Sequence, residues 1–200
     1  MAEPNSPHLT THSSGERITI QKVRPNEARS LVLRSPGVQA DGRLADLHSA
    51  YHDNLSPALS WTELLEAEAY ALVVEDPDAP TPDPFLHWVI WNIPGTAKGL
   101  PQGVGRDLPE ELKGAVQGRN SAGRPGYMGP RPPAGHGVHR YHFQLFALDS
   151  RLPNDPDTPF GELLNMLKAH TLATAELVAT YERPDLPQAP SANRDAQAYR

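Results

Sequence analysis

Short apolar runs, most of them ended abruptly by proline or glycine, dominate the pattern along the chain. Ile18-Thr19-Ile20 alternates, and Ser30-Leu31-Val32-Leu33 is a compact run closed by Ser35-Pro36-Gly37. Ala69-Tyr70-Ala71-Leu72-Val73-Val74-Glu75 has the continuous apolar character of a buried strand, stopped by Asp76-Pro77-Asp78-Ala79-Pro80. His87-Trp88-Val89-Ile90-Trp91-Asn92-Ile93 follows and halts at Pro94-Gly95, and residues 139–148 form a bulky, alternating run. One segment has helical spacing. Thr158 is placed to cap it and Pro159 to occupy its first turn, and Leu163, Leu164, Leu167, His170, Leu172 and Ala175 carry the apolar face to about residue 177. A short strand over 177–181 closes the body. Strands outnumber helices, which predicts a mainly β fold, an antiparallel β-sandwich with one or two peripheral helices.

Composition sharpens this picture. Among 200 residues, 22 are proline and 15 glycine, enough to imply short elements joined by long, shaped loops and to argue against a helical bundle. Residues 1–16 and 184–200 are polar and lack any period, so they read as flexible tails around a single domain at 17–183. Cysteine is absent, which removes disulfides, thiolate metal sites and cysteine nucleophiles together. The balance of 18 basic against 24 acidic residues, a net charge of −6, with no basic stripe, speaks against nucleic acid as a partner. No stretch approaches the length of a membrane span and no secretory leader is visible, so the expectation is a soluble, cytoplasmic protein.

Chemistry concentrates at three junctions. Asp76-Pro77-Asp78-Ala79-Pro80 is a rigid acidic corner directly after a strand; taken alone, it is an ordinary Asx turn. His87 opens an apolar strand, on which strict alternation would place it with Val89, Trp91 and Ile93. The most informative stretch runs from Gly126-Tyr127-Met128-Gly129-Pro130-Arg131-Pro132-Pro133 through Ala134-Gly135-His136-Gly137-Val138 into His139-Arg140-Tyr141. A stiff loop rich in bare backbone N–H groups can cradle an oxyanion at low ordering cost. His139 and Tyr141 then share one strand face, while Arg140 takes the other and is expected in a structural pair.

These segments together resemble the phosphatidylethanolamine-binding protein family, in particular its bacterial Raf-kinase-inhibitor-like branch. Asn54-Leu55-Ser56-Pro57-Ala58-Leu59-Ser60-Trp61, Gly118-Arg119-Asn120 and Ala175-Glu176-Leu177-Val178-Ala179-Thr180-Tyr181 extend the resemblance in order over about 30–183. It implies a β-sandwich with a small pocket at one end for phosphate, a phosphorylated small molecule or a phospholipid head group such as phosphoethanolamine. Carried over by position, the pocket would hold Asp76, His87, His139 and Tyr141, with Asp78, Pro80, Gly129 and Pro130 shaping its wall. The same resemblance implies a kinase or protease as inhibited partner, and a homodimer. It implies no catalytic residue, cofactor or metal. Three departures stand out: Arg131 where relatives often have cysteine, Asn120-Ser121-Ala122-Gly123 where they have Asn-Asp-Phe-Gly, and Ala50-Tyr51-His52-Asp53 in place of Thr-Cys-Asp-Gly.

Imidazoles can donate to phosphate oxygens, more strongly once protonated, and Asp76 beside them would favour the charged ring. Without an arginine in the carried-over set, affinity is expected at micromolar to millimolar, about −4 to −8 kcal/mol. The competing reading is an enzyme. His87, His139, Asp76 and Asp78 could compose a two-histidine–carboxylate metal site, but their spacing is not diagnostic. For a hydrolase, there is no Gly-x-Ser-x-Gly elbow, and Ser121 lies in no nucleophile context. Whether His136 joins the pocket rim is left open.

Overall fold

The computed structural model describes residues 17–23, 25, 31–105 and 108–183. The expected tails at 1–16 and 184–200, and Ser30 of the first apolar run, lie outside these described residues. The elements are α1 (Thr19–Lys22), β1 (Leu33–Arg34), β2 (Leu59–Trp61), β3 (Ala69–Asp76), β4 (Phe85–Pro94), β5 (Gly99–Leu100), β6 (Val116–Gln117), β7 (His139–Leu148), α2 (Phe160–His170) and β8 (Thr171–Tyr181). The five-stranded antiparallel sheet runs β6-β4-β3-β7-β8, and a smaller sheet runs β1-β2-β5. Among the described residues no helix is long and apolar enough to cross a membrane.

Strand parity divides the core into two layers. Tyr70, Leu72 and Val74 of β3, with Tyr141, Phe143 and Leu145 of β7, pack towards Leu33, Leu59 and Trp61 of the small sheet. Ala71 and Val73 face the other way and meet Phe146, Leu163 and Leu167, under α2. Parity continues to the end of β3 and sends its two buried acids to opposite sides. Glu75 turns to the helical side, where its carboxylate accepts from the Thr19 N–H (2.7 Å), the Thr19 hydroxyl (3.1 Å) and Gln144 Nε2 (2.7 Å). Asp76 continues the side of Tyr70, Leu72 and Val74, at the rim of the sandwich.

Several sequence expectations need correction. Ile18-Thr19-Ile20 is not a strand: Thr19 begins the one-turn helix α1, because the Glu75 carboxylate and the Gln144 side-chain oxygen receive the N–H groups of Thr19 and Ile20 that a first helical turn leaves unpaired. The first apolar run forms ladder only at Leu33–Arg34. The helix expected to run to about 177 stops at His170, and Thr171 starts β8 with no residue between. Thr171 ends the helix by donating its hydroxyl to the Leu167 carbonyl (2.6 Å), and from there β7 pairs with the chain to Tyr181, with one irregularity at Leu172. The Ala- and Leu-rich stretch fits either period, and an available strand edge decides it. Nor does Thr158 cap α2. Its hydroxyl donates to the Asp155 carbonyl, and Pro159 stands in the cap position. β2, β5 and β6 have two or three residues each, too few to show a period.

Removing the Glu75 carboxylate leaves the Thr19 N–H and hydroxyl without their acceptor, and Gln144 Nε2 with only a 3.5 Å contact to the His142 carbonyl. Glu75→Ala should lower stability to urea by about 2–4 kcal/mol, and exchange of the Thr19 amide should quicken beyond that global loss. Unchanged exchange at Thr19 would show that the carboxylate does not hold α1.

Candidate functional site

The site grows from the end of β3. Asp76 Oδ1 accepts the Asp78 N–H at 2.8 Å, which closes the Asp-Pro-Asp turn, and Oδ2 lies 2.8 Å from His139 Nδ1 on β7. One carboxylate therefore acts as turn former and as histidine partner at once, the two readings that its sequence left in competition. Asp78 takes the Arg140 guanidinium in a two-point grip (Nε 2.8 Å, Nη2 2.7 Å) and also accepts the Arg140 N–H at 2.9 Å. Partial burial pushes the Asp78 carboxyl up, but the Arg140 hydrogen bonds and charge outweigh it and hold the group below the usual carboxylate range. The structural pair expected of Arg140 thus has Asp78 as its partner, and it clamps the turn to β7.

His87 reaches the site through a bulge. Val74 pairs with Trp88, whereas Glu75 pairs with Leu86, so His87 is an extra residue in the ladder. Strict alternation is broken: His87 meets Tyr141 edge-on at 5.1 Å, within the layer that holds Trp88, while Val89 and Trp91 pack in the helical layer. A second irregularity, near Asn92 with φ 57°, returns Ile93 to the layer of Trp88 and Ile90. The sequence grouping of His87 with Val89, Trp91 and Ile93 is therefore corrected.

The His87 Nδ1–H donates to the Met128 carbonyl at 2.6 Å, and its Nε2 lies 4.0 Å from Asp76 Oδ2. Burial pushes the His87 pKa down; the Met128 carbonyl and the Asp76 charge oppose this but do not overcome it. Asp76 thus favours the charged ring as expected, but desolvation of the imidazolium outweighs a carboxylate at that distance. Behind the two rings the Tyr141 hydroxyl is buried and has no well-formed hydrogen bond. Burial first, and then the Asp76 charge, raise its pKa, so it remains a neutral phenol.

The glycine- and proline-rich loop is bolted to residues 48–54. The Gly129 N–H donates to Asn54 Oδ1 (2.7 Å), the Pro130 carbonyl accepts the Ala50 N–H (2.9 Å) and the Pro132 carbonyl accepts the Tyr51 hydroxyl (2.6 Å). A Cβ on Gly129 would lie 2.1 Å from the His48 carbonyl oxygen, so only glycine permits this approach. The Ala50-Tyr51-His52-Asp53 departure thus supplies two of the loop's anchors.

Between loop and turn lies a cavity of about 120 Å³. Asp76, His87 and His139 form its floor and are 3 %, 4 % and 2 % exposed. Pro80, Phe85, Met128, Pro132 and Pro133 make apolar walls, and Ala79, Thr81 and the exposed Arg131 complete the lining. Of the residues singled out from sequence, Asp76, Pro80, His87 and His139 line the cavity. Asp78, Gly129, Pro130 and Tyr141 stand behind it and hold the lining in place. His136 brings its ring within 5.8 Å of the His139 ring but is not part of the lining. Phe85 and Thr81 escaped the sequence reading. Phe85 lies two residues before His87, with its ring 4.9 Å away, and Thr81 directly follows Pro80, so proximity to those motifs was the available signal. A larger cavity, about 330 Å³, opens on the helical side beside Glu75, whose carboxylate is already occupied by Thr19 and Gln144.

Among the described residues, no group of three or more His, Cys, Asp or Glu side chains is arranged to hold a metal ion. Each floor histidine has its Nδ1 engaged, leaving Nε2 as the ring nitrogen available to a guest. A neutral Nε2 accepts and a protonated one donates, so the floor can bind an anion together with a proton.

Residues 34–182 match the family model described as phosphatidylethanolamine-binding protein. The chain is 42 % identical over 146 residues to a UPF0098 protein of Methanothermobacter thermautotrophicus, covering 71 % of this chain and 92 % of that one. A UPF0098 protein of Pyrococcus horikoshii is 42 % identical over 120 residues, 58 % of each chain. The crystal structure of Escherichia coli YbcL, described as a new member of the mammalian PEBP family, superposes with a TM-score of 0.71 at 34 % identity, over 78 % of this chain and 100 % of the other.

The buried His87 ring makes stability pH-dependent. In the unfolded chain the ring titrates near 6.5, while the folded protein holds it neutral to lower pH, so the unfolded state takes up the proton first as pH falls. This contribution is complete above pH 6.5 and is lost as pH falls towards the depressed folded value, at no more than about 1.4 kcal/mol per pH unit. Urea unfolding at pH 7.5 and 5.5 in a buffer free of phosphate should show the wild type losing more stability than His87→Gln. Equal losses would count against a neutral buried ring.

Proposed function

Because the chain belongs to the phosphatidylethanolamine-binding protein family, we propose that it is a binding protein whose cavity takes the phosphoryl group of a small ligand, whether free phosphate, a phosphorylated small molecule or a phospholipid head group. The observation that carries this reading is the floor of the cavity. Two histidines, each with Nδ1 fixed by an acceptor, present Nε2 to a space of about 120 Å³. That volume suits a head group and falls well below the ~300 Å³ and more of typical sites for drug-sized ligands.

A phosphoryl oxygen beside a bare Nε2 sets two lone pairs against each other. Binding therefore needs a proton between them, carried either by the ring or by the phosphoryl group. Asp76 orients His139 and compensates its charge if the ring becomes imidazolium. The apolar walls limit water at the contact and strengthen it.

Binding is favoured over catalysis by the state of the neighbouring hydroxyls. The Thr81 hydroxyl is spent as a donor to the Asp83 carbonyl (2.7 Å), and Tyr141 is held as a neutral phenol behind the histidines. Neither is poised as a nucleophile against the His139–Asp76 pair. A kinase- or protease-inhibiting role would belong to an outer surface, and ligand occupancy would bias it only through different affinities for the free and partnered protein.

Isothermal titration with phosphate at pH 5.5 and pH 8 tests this reading. Binding should be micromolar to millimolar at pH 5.5, at least about tenfold weaker at pH 8, and undetectable in His139→Ala. Affinity that is indifferent to pH, or that survives in His139→Ala, would place the phosphoryl group elsewhere.

A further inference from the structure

The charges around the cavity are few and unevenly committed. Asp76 is the single carboxylate among the lining residues, and both of its oxygens already accept hydrogen bonds on the floor. Asp78 carries the next nearest acid in the turn, but Arg140 occupies it at two points. That pair neutralises Arg140 as well, and leaves Arg131 as the permanent cation of the lining. Arg131 is exposed, and its guanidinium has no hydrogen-bond or ion-pair partner among the described residues.

Its position is nevertheless well defined. Arg131 stands between Pro130 and Pro132, and the carbonyls of both prolines are hydrogen-bonded to the 50–51 segment. The root of the side chain is thus fixed at the cavity by a backbone with little freedom left to lose, and the planar fork suits a carboxylate or a second phosphate. A ligand whose phosphoryl group rests on the histidines must send its other end outwards, past Arg131. An ammonium there meets a cation and finds no uncommitted carboxylate among the lining residues.

We propose that Arg131 makes this pocket select phosphomonoesters whose far end is anionic, such as phosphorylated hydroxy acids, over the zwitterionic ethanolamine head group. This rests on the phosphoryl reading of the floor given above. It assigns a specificity role to the lining residue that carries the cavity's permanent positive charge.

Two probes of matched length isolate the effect. 2-Phosphoglycolate and O-phosphoethanolamine both place two carbons after the phosphate ester oxygen, and differ in ending as carboxylate or ammonium. At pH 5.5, where the phosphoryl group binds best, isothermal titration of the wild type should give phosphoglycolate an affinity about tenfold higher. The difference should vanish in Arg131→Ala and invert in Arg131→Glu, with inorganic phosphate losing less than phosphoglycolate in both variants. Arg131 is exposed, so neither substitution threatens the fold. Equal affinities in the wild type, tighter binding of phosphoethanolamine, or a preference that persists in Arg131→Ala would each overturn the inference while leaving the phosphoryl pocket standing. Failure of all three ligands to bind the wild type would overturn both readings.

Discussion

The Asp76 carboxylate is the joint on which the rest of the site turns. Its two oxygens do separate things: one closes the turn after β3 and the other aligns His139 on β7. A side chain with one oxygen, or with an amide in place of the second, could do only half of this. Because the group is 3 % exposed, both contacts form away from water, where hydrogen bonds are strong and an unpaired charge is costly. The turn, the ring orientation and the Arg140 clamp on Asp78 are therefore mutually dependent.

β3 supplies this joint because it is buried along its whole length and paired on both sides. Its last two residues are acids on opposite faces. Glu75 serves the fold, by receiving the start of α1; Asp76 serves the cavity. The same alternation that separates the two apolar layers thus sends one acid to the start of α1 and its neighbour to the cavity lining. The bulge at His87 adds to this. It turns a histidine that regular pairing would have aimed at the helical layer towards Tyr141 and the cavity floor.

The loop opposite is held by contacts that do not involve the Arg131 side chain. Tyr51 and Ala50, where the resemblance led to other residues being expected, bind the loop through a hydroxyl to the Pro132 carbonyl and a backbone N–H to the Pro130 carbonyl. A backbone contact is indifferent to side-chain identity, which is why that replacement leaves the loop in place. Arg131, between those anchors, is free to differ because its side chain bears no packing load, and there a change alters charge rather than shape.

Much of this was legible in residues 69–76 and 139–148, where apolar bulk, period and abrupt stops marked β3 to within one residue and β7 at both ends. Local pattern carries such information because strand burial and turn chemistry are written in neighbouring residues. Asp76, His87 and His139 were singled out only through the resemblance of the motifs to a known family, and the fold brings all three to the cavity lining. The tertiary structure alone decided the bulge that turns His87, the stop of α2 at His170, the conversion of Ile18-Thr19-Ile20 into a helix entry, and the commitment of Asp78 to Arg140. Each depends on a partner far away in sequence: β3 for the bulge, β7 for the start of β8, Glu75 for α1, and β7 again for the clamp. Sequence by itself determined which groups were available. Which of them remained uncommitted was decided only when distant strands had taken the others.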